Sequence, residues 1–336
     1  MTSRTRKKVF FLILLLAILF LINFWMGREK TPHNPLQYQE AFHPEVKANL
    51  IILGASHTAH GVNPKYFETD HFKVFNFSMD GAGPSFNLKW YEKILQRYYP
   101  KPREVIYGVH WAMFDENILQ RRFEQDSRYF PQEFLFHEFL SAKDLNHLEG
   151  IKTLLLNRFA IFRGRKQLAE RLFRGTSDVF VLSRYYNGFV PYERRGRPDK
   201  KRDIKPQINE AQTRAFETLL DEFEKSKIGV IFVQVPGYLP ARDAANIEES
   251  MQLLNRIAEK RKIPFLDYDT KRITNINTDP SMFSDWVHLN EKGSDAFSKL
   301  LKDDMDFLLK SRWPAIKAVS GKQCLNSCAE RRTGVD

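Results

Sequence analysis

Five short runs of apolar residues stand out in the middle of the chain. They lie at residues 49–54, 73–77, 104–109, 228–234 and 264–267. Runs that are apolar at nearly every position, and not only at every second one, are typical of parallel strands buried on both faces. The pattern therefore predicts a parallel sheet of about five strands.

The segments between these runs carry apolar residues at helical spacing. Helices are predicted over residues 84–98, 211–225 and 247–261, and a last helix follows Asn290, which can cap it, and continues through Leu308. Strands that alternate with helices favour an α/β fold in which a doubly wound parallel sheet has helices on both faces. Such sheets bind their ligands at the carboxyl ends of the strands.

The alternation is interrupted between about residues 115 and 206. This interval is predicted to be a partly helical insertion, with a helix over residues 145–173. A strongly basic loop follows at residues 187–205. A solvated face is the favoured interpretation of that loop, and a binding groove is the alternative.

A longer apolar run lies near the N-terminus, at residues 9–26, and four basic residues precede it. Its length is at the short end of what spans a bilayer as a helix. We predict a single-pass anchor in the cytoplasmic (inner) membrane, with residues 1–8 inside and a periplasmic, extracytoplasmic domain. A tether over residues 27–46 would lead to that domain, over 47–312, and a tail over 313–336 would follow. A cleavable signal peptide is the alternative, although the run lacks a small-x-small cleavage pattern.

Lys and Arg outnumber Asp and Glu by 52 to 41, which gives a formal net charge of +11. This charge favours anionic polymers or anionic lipid headgroups as partners. Nucleic-acid binding is not predicted, because the chain has no zinc-finger spacing, RNP-like motif or basic heptad region. Cys324 and Cys328 could form a disulfide or remain free thiols. No cofactor is predicted, and no ligand cluster with usable spacing points to a metal.

Ser56 follows the first predicted strand, two residues after Gly54. A serine at this place can reach a ligand, although such a serine is more often a helix N-cap than a nucleophile. Thr58 stands where the nucleophile elbow of ordinary α/β-hydrolases requires glycine, so that fold is disfavoured. His57 and His60, beside the serine, are expected to be hydrogen-bonded loop histidines and not second bases.

A serine nucleophile needs a base, and the pair Asp285 and His288 lies after the last strand and ahead of the last helix. An Asp three residues before a His can accept the imidazole Nδ1 proton, which leaves Nε2 free to deprotonate a serine. Asp144 and His147 have the same spacing, but they open the insertion. Position therefore favours Asp285 and His288.

Three blocks of the sequence resemble those of the SGNH (GDSL-like) hydrolases, and they come in the family's order. The resemblance covers roughly residues 48 to 310, with the insertion unmatched. The blocks are Gly54-Ala55-Ser56 after the first strand, Asn76-Phe77-Ser78-Met79-Asp80-Gly81 after the second, and the final Asp285 and His288.

The resemblance implies a three-layer α/β/α fold with flavodoxin-like strand order and a catalytic triad of Ser56, Asp285 and His288. It also implies an oxyanion site that includes Gly81. Two positions depart from the family pattern, because Ala55 replaces the usual Asp and the third block, Gly-x-Asn-Asp, is here Gly108-Val109-His110-Trp111. Since the oxyanion asparagine is missing, His110 supplies that contact, or the amides of Ser56 and Gly81 suffice, or the site is degenerate.

These departures, together with the anchor, resemble the branch of the superfamily that assists O-acylation of cell-envelope polymers. The chain looks similar there to the alginate O-acetylation proteins and the teichoic-acid D-alanylation protein. The resemblance implies an acyl donor, an envelope glycan as acceptor and a polytopic membrane-bound O-acyltransferase as partner. Trp111 and Tyr238 could stack on a sugar ring or pack the edge of the sheet. A simple carbohydrate esterase and a non-catalytic glycan-binding or scaffold protein are the alternatives.

Overall fold

The computed structural model describes residues 3–28, 36–69, 72–123, 126, 130, 186–192, 204–241 and 245–312. The chain divides into two compact units. One unit comprises Met1–Phe42 and Arg122–Ser183, and the other comprises His43–Arg121 and Arg184–Asp336. The candidate site lies entirely in the second unit.

The first unit contains two helices in its described part, α1 (Ser3–Arg28) and α2 (Leu36–Phe42). Tyr38 of α2 is buried, and its ring centroid lies 5.4 Å from that of Phe130. The segment predicted as a plain tether, residues 27–46, therefore includes a short packed helix. The sequence signal for this helix is weak, because seven residues give only two turns of apolar spacing.

The membrane anchor and several features of the insertion and the tail remain predictions. In the described part of the chain, no helix combines the length and the apolar character that crossing a bilayer requires. Other predictions fall on residues that the structure does not describe. They are the helix over 145–173, Asp144 with His147, the charged side chains of the basic loop, and the tail with Cys324 and Cys328.

The second unit is built on a parallel sheet whose described strands number five. They are β1 (Leu50–Leu53), β2 (Val74–Asn76), β3 (Glu104–Val109), β4 (Gly229–Gln234) and β5 (Phe265–Asp267). Their order across the sheet is β2-β1-β3-β4-β5, and every neighbouring pair is parallel. This is the flavodoxin-like order. The predicted sheet is confirmed, and each strand begins and ends within one residue of its apolar run.

The helices that the apolar spacing predicts are present, and a short helix that it does not predict follows β1. They are α3 (Ser56–Gly61), α4 (Pro84–Trp90), α5 (Gln96–Tyr98), α6 (Glu210–Lys225), α7 (Glu248–Arg261) and α8 (Glu291–Arg312). The helix predicted over 84–98 is one continuous element, in which a π-helical turn at Tyr91–Leu95 joins α4 to α5. The side chain of Asn290 accepts a hydrogen bond from the amide of Gly293 at 3.0 Å, which confirms the predicted cap of α8.

Helices cover both faces of the sheet, because successive residues of a strand point to opposite faces. On one face, Ile52 of β1 belongs to a buried apolar cluster that includes Phe297 of α8. On the other face, the ring of Tyr107 of β3 lies 5.1 Å from that of Phe216 of α6. Burial of one such apolar side chain contributes about 1.5–3 kcal/mol. The predicted three-layer α/β/α arrangement is confirmed.

Residues 186–192 run beside β2, at the edge of the sheet. The amide of Asn76 donates to the carbonyl of Asn187 at 2.8 Å, and the Asn187 side chain donates to the carbonyl of Val74 at 3.1 Å. Gly188 follows with a φ of +87°, and a Cβ there would lie only 1.9 Å from the Asn76 carbonyl oxygen. Glycine is therefore required where this segment meets the strand.

We predict that Gly108→Ala strongly destabilises the domain. A Cβ on Gly108 of β3 would lie 1.7 Å from Oγ1 and 2.6 Å from Cβ of Thr58 in α3, so rotation of the Thr58 side chain does not relieve the overlap. The free energy of unfolding, measured by urea titration, should fall by more than about 3 kcal/mol, the upper end for an overpacked core. Adding Thr58→Gly should recover part of this loss, and equal stabilities of the single and double variants would contradict the proposed contact.

Candidate active site

A tight turn at the carboxyl end of β1 presents Ser56. Gly54 has a φ of +155°, and a Cβ on it would meet Oγ1 of Thr58 at 2.7 Å. The amides of Thr58 and Ala59 donate to the carbonyl of Ala55, so α3 begins at Ser56. The amide of Ser56 therefore lies in the first turn of the helix, where amides have no partner within the helix. Strand, glycine and helix together place the hydroxyl at the rim of the sheet.

A second loop, just ahead of α8, presents His288. The amide of Ser284 donates to the carbonyl of His288 at 2.8 Å, which closes the loop. Oδ1 of Asp285 accepts from the amides of Val287 and His288, at 2.9 and 2.8 Å. Oδ2 of Asp285 is then left facing the imidazole, 2.8 Å from Nδ1. The spacing of three residues thus folds the carboxylate back onto its own histidine, as the sequence predicts.

The two loops meet. Nε2 of His288 lies 2.9 Å from Oγ of Ser56, although 232 residues separate them in the chain. Because the Asp285 carboxylate only accepts, Nδ1 carries the proton and Nε2 is free to accept the Ser56 hydroxyl proton. The structure therefore brings all three predicted catalytic residues together, in the order carboxylate, imidazole, hydroxyl.

The charge of Asp285 is secured by its hydrogen bonds. Partial burial acts to raise the pKa of this carboxyl, but the hydrogen bond and charge of His288 and the two backbone amides outweigh it and lower the pKa. Asp285 is therefore ionised at neutral pH, as the orienting carboxylate of a triad must be. Since the folded pKa is lowered, its contribution to stability is present above about pH 4 and is lost as the pH falls through the folded pKa.

The predicted oxyanion residue Gly81 follows β2 on the same rim. The side chain of Asn76 donates to the carbonyls of Thr58 and Val62, both at 3.0 Å, and so ties the end of β2 to α3. The amide of Met79 donates to the carbonyl of Gly54 at 3.2 Å. Gly81 itself turns the chain with a φ of +68°. The second sequence block is thus bound directly to the loop that carries the serine.

His110, the other predicted oxyanion residue, directly follows β3 and is buried. Its Nδ1 accepts from the amide of Ala112 at 3.2 Å, so the neutral ring carries its proton on Nε2. The ring stacks on that of His57, with centroids 3.7 Å apart. His110 therefore reaches the triad region through the imidazole of His57.

Trp111 and Tyr238, the predicted sugar-stacking residues, line one small cavity beside the triad. Trp111 is only 4 % exposed, which favours packing over sugar stacking for this ring. Tyr238 is half-buried, and its amide donates to the carbonyl of Trp286 at 3.3 Å. Trp286, also half-buried, lines the same cavity and was not singled out from the sequence. The acid Asp269 lines it too, and accepts from the Gly237 amide at 2.8 Å.

The two histidines beside Ser56 differ from what the sequence suggests. Both belong to α3 and not to a loop. His60 is hydrogen-bonded as expected, to the carbonyl of Val190 and to Asp80. His57 is buried, and neither of its ring nitrogens has a hydrogen-bond partner among the described residues, so the expectation is wrong for this residue.

Tyr192 is the site residue that the sequence gives least reason to select. It ends the described segment 186–192, and its ring centroid lies 4.8 Å from that of His288. Its backbone pairs with Asn290 in a parallel bridge. It belongs to the predicted basic loop, which has no periodic pattern, so only the fold brings it to the catalytic histidine.

The site has no metal-like geometry in the part of the chain that can be described, where no three His, Cys, Asp or Glu side chains form a group able to hold a metal ion. Asp144 and His147, the competing pair, lie outside that part.

No protein-family model matches the sequence, and no curated protein matches it. Among solved structures, a GDSL-like lipase from Bacteroides thetaiotaomicron is similar, with 13% identity and a TM-score of 0.41 over 84% of this chain and 100% of that one. A lipase/acylhydrolase from Enterococcus faecalis is similar with 14% identity and a TM-score of 0.37, over 78% of this chain and 96% of that one. These likenesses are distant.

We predict that Asp285→Asn lowers kcat for ester hydrolysis by about 10⁴-fold, because an amide at this position favours the wrong tautomer of His288. The expected melting temperature is close to that of the wild type, since the carboxylate is partly exposed. Steady-state kinetics measures the change in kcat, and thermal unfolding measures the melting temperature. Near-full activity would remove Asp285 from the mechanism.

Proposed function

We propose that this chain is a serine esterase or acyltransferase of the SGNH type. The observation that carries the proposal is the hydrogen-bond chain from Asp285 through His288 to Ser56. A hydroxyl, a base and an orienting carboxylate in this order are what nucleophilic catalysis by serine requires. Their position at the carboxyl edge of a parallel sheet is also where such folds bind ligands.

In the first half of the reaction, Nε2 of His288 takes the proton of the Ser56 hydroxyl while Oγ attacks the carbonyl carbon of an ester or thioester. The tetrahedral intermediate collapses, the bond to the leaving group breaks, and the imidazolium returns its proton to that group. Asp285 stabilises the imidazolium throughout. The product of this half is an acyl-serine at Ser56.

In the second half, His288 takes a proton from an acceptor hydroxyl, and the acceptor oxygen attacks the acyl-serine carbonyl. Ser56 leaves as an alkoxide and recovers a proton from the imidazolium. If the acceptor is water, the reaction is hydrolysis, and if it is a sugar hydroxyl, the reaction is acyl transfer. The same residues perform both, and water exclusion selects between them.

The negatively charged oxygen of each tetrahedral intermediate has to be stabilised by hydrogen-bond donors. The amide of Ser56, in the first turn of α3, is one candidate, and the amide of Gly81 on the adjoining loop is the second. Each such donor is typically worth a few kcal/mol of transition-state stabilisation. His110, the other residue that the sequence suggests for this role, lies behind the His57 ring, on which it stacks with centroids 3.7 Å apart.

We further propose that the acceptor is an anionic cell-envelope polysaccharide and that the chain is a periplasmic, membrane-anchored enzyme. The net charge of +11 supports an anionic polymer. The apolar run at residues 9–26 supports an anchor. Tyr238 and Trp286, half-buried beside the cavity, are the aromatic residues proposed to contact the sugar. A polytopic membrane-bound O-acyltransferase is the proposed source of the acyl group.

A non-catalytic scaffold is the second candidate. Ala55 and His110 favour it, because both replace residues that the active family members use. The complete hydrogen-bond chain at Ser56 favours the enzyme, since a site without catalytic work has no need for a serine and a histidine in line.

We predict that a fluorophosphonate probe labels the detergent-solubilised full chain at Ser56, because the probe reacts with serines activated by a neighbouring base. Ser56→Ala and His288→Ala should abolish labelling. Ser226→Ala, at the end of α6, is the matched control and should label like the wild type. A folded wild-type chain that takes up no probe would favour the scaffold.

Transfer and hydrolysis are separated by supplying an acceptor. A chromogenic acetyl ester is turned over with and without an anionic oligosaccharide, and mass spectrometry measures acetylated sugar against free acetate. We expect acetylated sugar to form at the expense of acetate, with less transfer to a neutral oligosaccharide of equal length. Acetate as the sole product in every case would assign the chain to the esterases.

A further inference from the structure

Among the described residues, two rings lie closest to that of His288, and neither takes a chemical part in the proposed reaction. His57 lies 4.8 Å away at an interplanar angle of 32°, and Tyr192 lies 4.8 Å away at 59°. We infer that His57 and Tyr192 are positioning residues that hold the His288 ring with Nε2 directed at Ser56 and Nδ1 at Asp285. The inference rests on the proposed function, because it assigns these rings a part in that catalysis.

His57 acts as a flat, uncharged ring. It is 8 % exposed, and its ring nitrogens have no hydrogen-bond partner among the described residues. A buried polar group left in this way is costly to the fold, so hydrogen bonding does not explain an imidazole here. Its other close ring neighbour is His110, stacked at 3.7 Å. Ring shape and packing are therefore what this side chain contributes.

His57 also stays neutral beside a base that must become charged. Burial, the largest cause, lowers its pKa well below the usual value. A neutral ring does not repel the imidazolium that His288 becomes when it takes the serine proton. A positively charged side chain at position 57 would repel this imidazolium and so oppose the reaction.

Tyr192 is fixed from two directions. Its backbone pairs with Asn290, two residues after His288, and its ring lies 3.8 Å from that of His60. His60 is itself held at both ring nitrogens, by the Val190 carbonyl at 2.6 Å and the Asp80 carboxylate at 2.7 Å. These two hydrogen bonds hold the His60 ring in place, and the Tyr192 ring packs against it.

Ring contacts add to the restraint that the two hydrogen bonds of His288 supply. The bonds at Nδ1 and Nε2 fix two points of the His288 ring, and both lengthen if the ring turns about its bond to Cβ. Neighbouring rings on the imidazole oppose that rotation by steric contact. Because proton transfer depends steeply on geometry, a displacement of about 1 Å is enough to cost roughly 100-fold in rate.

Truncating either ring and then restoring its shape tests the inference. His57→Ala and Tyr192→Ala should lower kcat for a chromogenic acetyl ester by about 10- to 100-fold, with KM within about threefold of wild type. His57→Phe and Tyr192→Phe keep the ring and should stay within about threefold of wild-type kcat. Melting temperatures are measured alongside, and Tyr192→Ala carries the test if His57→Ala does not fold.

A second measurement does not depend on turnover. In proton NMR of the full chain, the Nδ1 proton of His288 bonded to Asp285 should give a far-downfield resonance. Both Ala variants should lose this resonance through faster exchange with water, and both Phe variants should keep it. A wild-type chain that shows the resonance but hydrolyses no ester would contradict the proposed function while leaving the positioning role supported.

Exposed residues of the same types serve as matched controls. His43→Ala and Tyr98→Ala remove a histidine and a tyrosine from the surface and should leave kcat and the resonance unchanged. Ala variants at 57 and 192 with wild-type kcat and resonance would overturn the inference. So would Phe variants as impaired as the Ala variants, because polar atoms and not ring shape would then be what His57 and Tyr192 contribute.

Discussion

The hydrogen bond between His288 and Ser56 depends on one constraint, that parallel strands all end at the same edge of their sheet. The serine follows β1 and the histidine precedes the helix after β5, and they meet at 2.9 Å across 232 residues of chain. An antiparallel connection would have sent these loops to opposite edges. The glycines at 54 and 108, the Asn76 side chain and the Asp285 turn all refine a meeting point that strand direction has already set.

The sheet, its helices and the three residues of the triad could be predicted from the sequence. Continuous apolar runs identify buried parallel strands, and the helix spacing between them gives the layers. Ser56, Asp285 and His288 could be selected because each lies next to a regular element whose end the pattern locates. Functional residues at the ends of strands can therefore be predicted from a sequence even when it has no close relative.

The parts that sequence reasoning missed lack such a local signal. His57 looks like any polar residue of a short helix, and its burial depends on what the third and fifth strands bring over it. Tyr192 lies in a stretch with no period, and Trp286 looks like a spacer in the Asp-x-x-His block. Each owes its position to tertiary packing between segments far apart in the chain, which a one-dimensional pattern does not encode.

The segment beside β2 has a significance apart from the catalytic centre. An outermost strand with unpaired amides and carbonyls is a template on which another polypeptide can add itself. Here Asn187 is hydrogen-bonded to the amide of Asn76 and to the carbonyl of Val74. Gly188 packs directly against the Asn76 carbonyl, where another backbone would otherwise approach. The returning end of the insertion thus occupies part of this edge of the sheet and hinders the addition of another strand there.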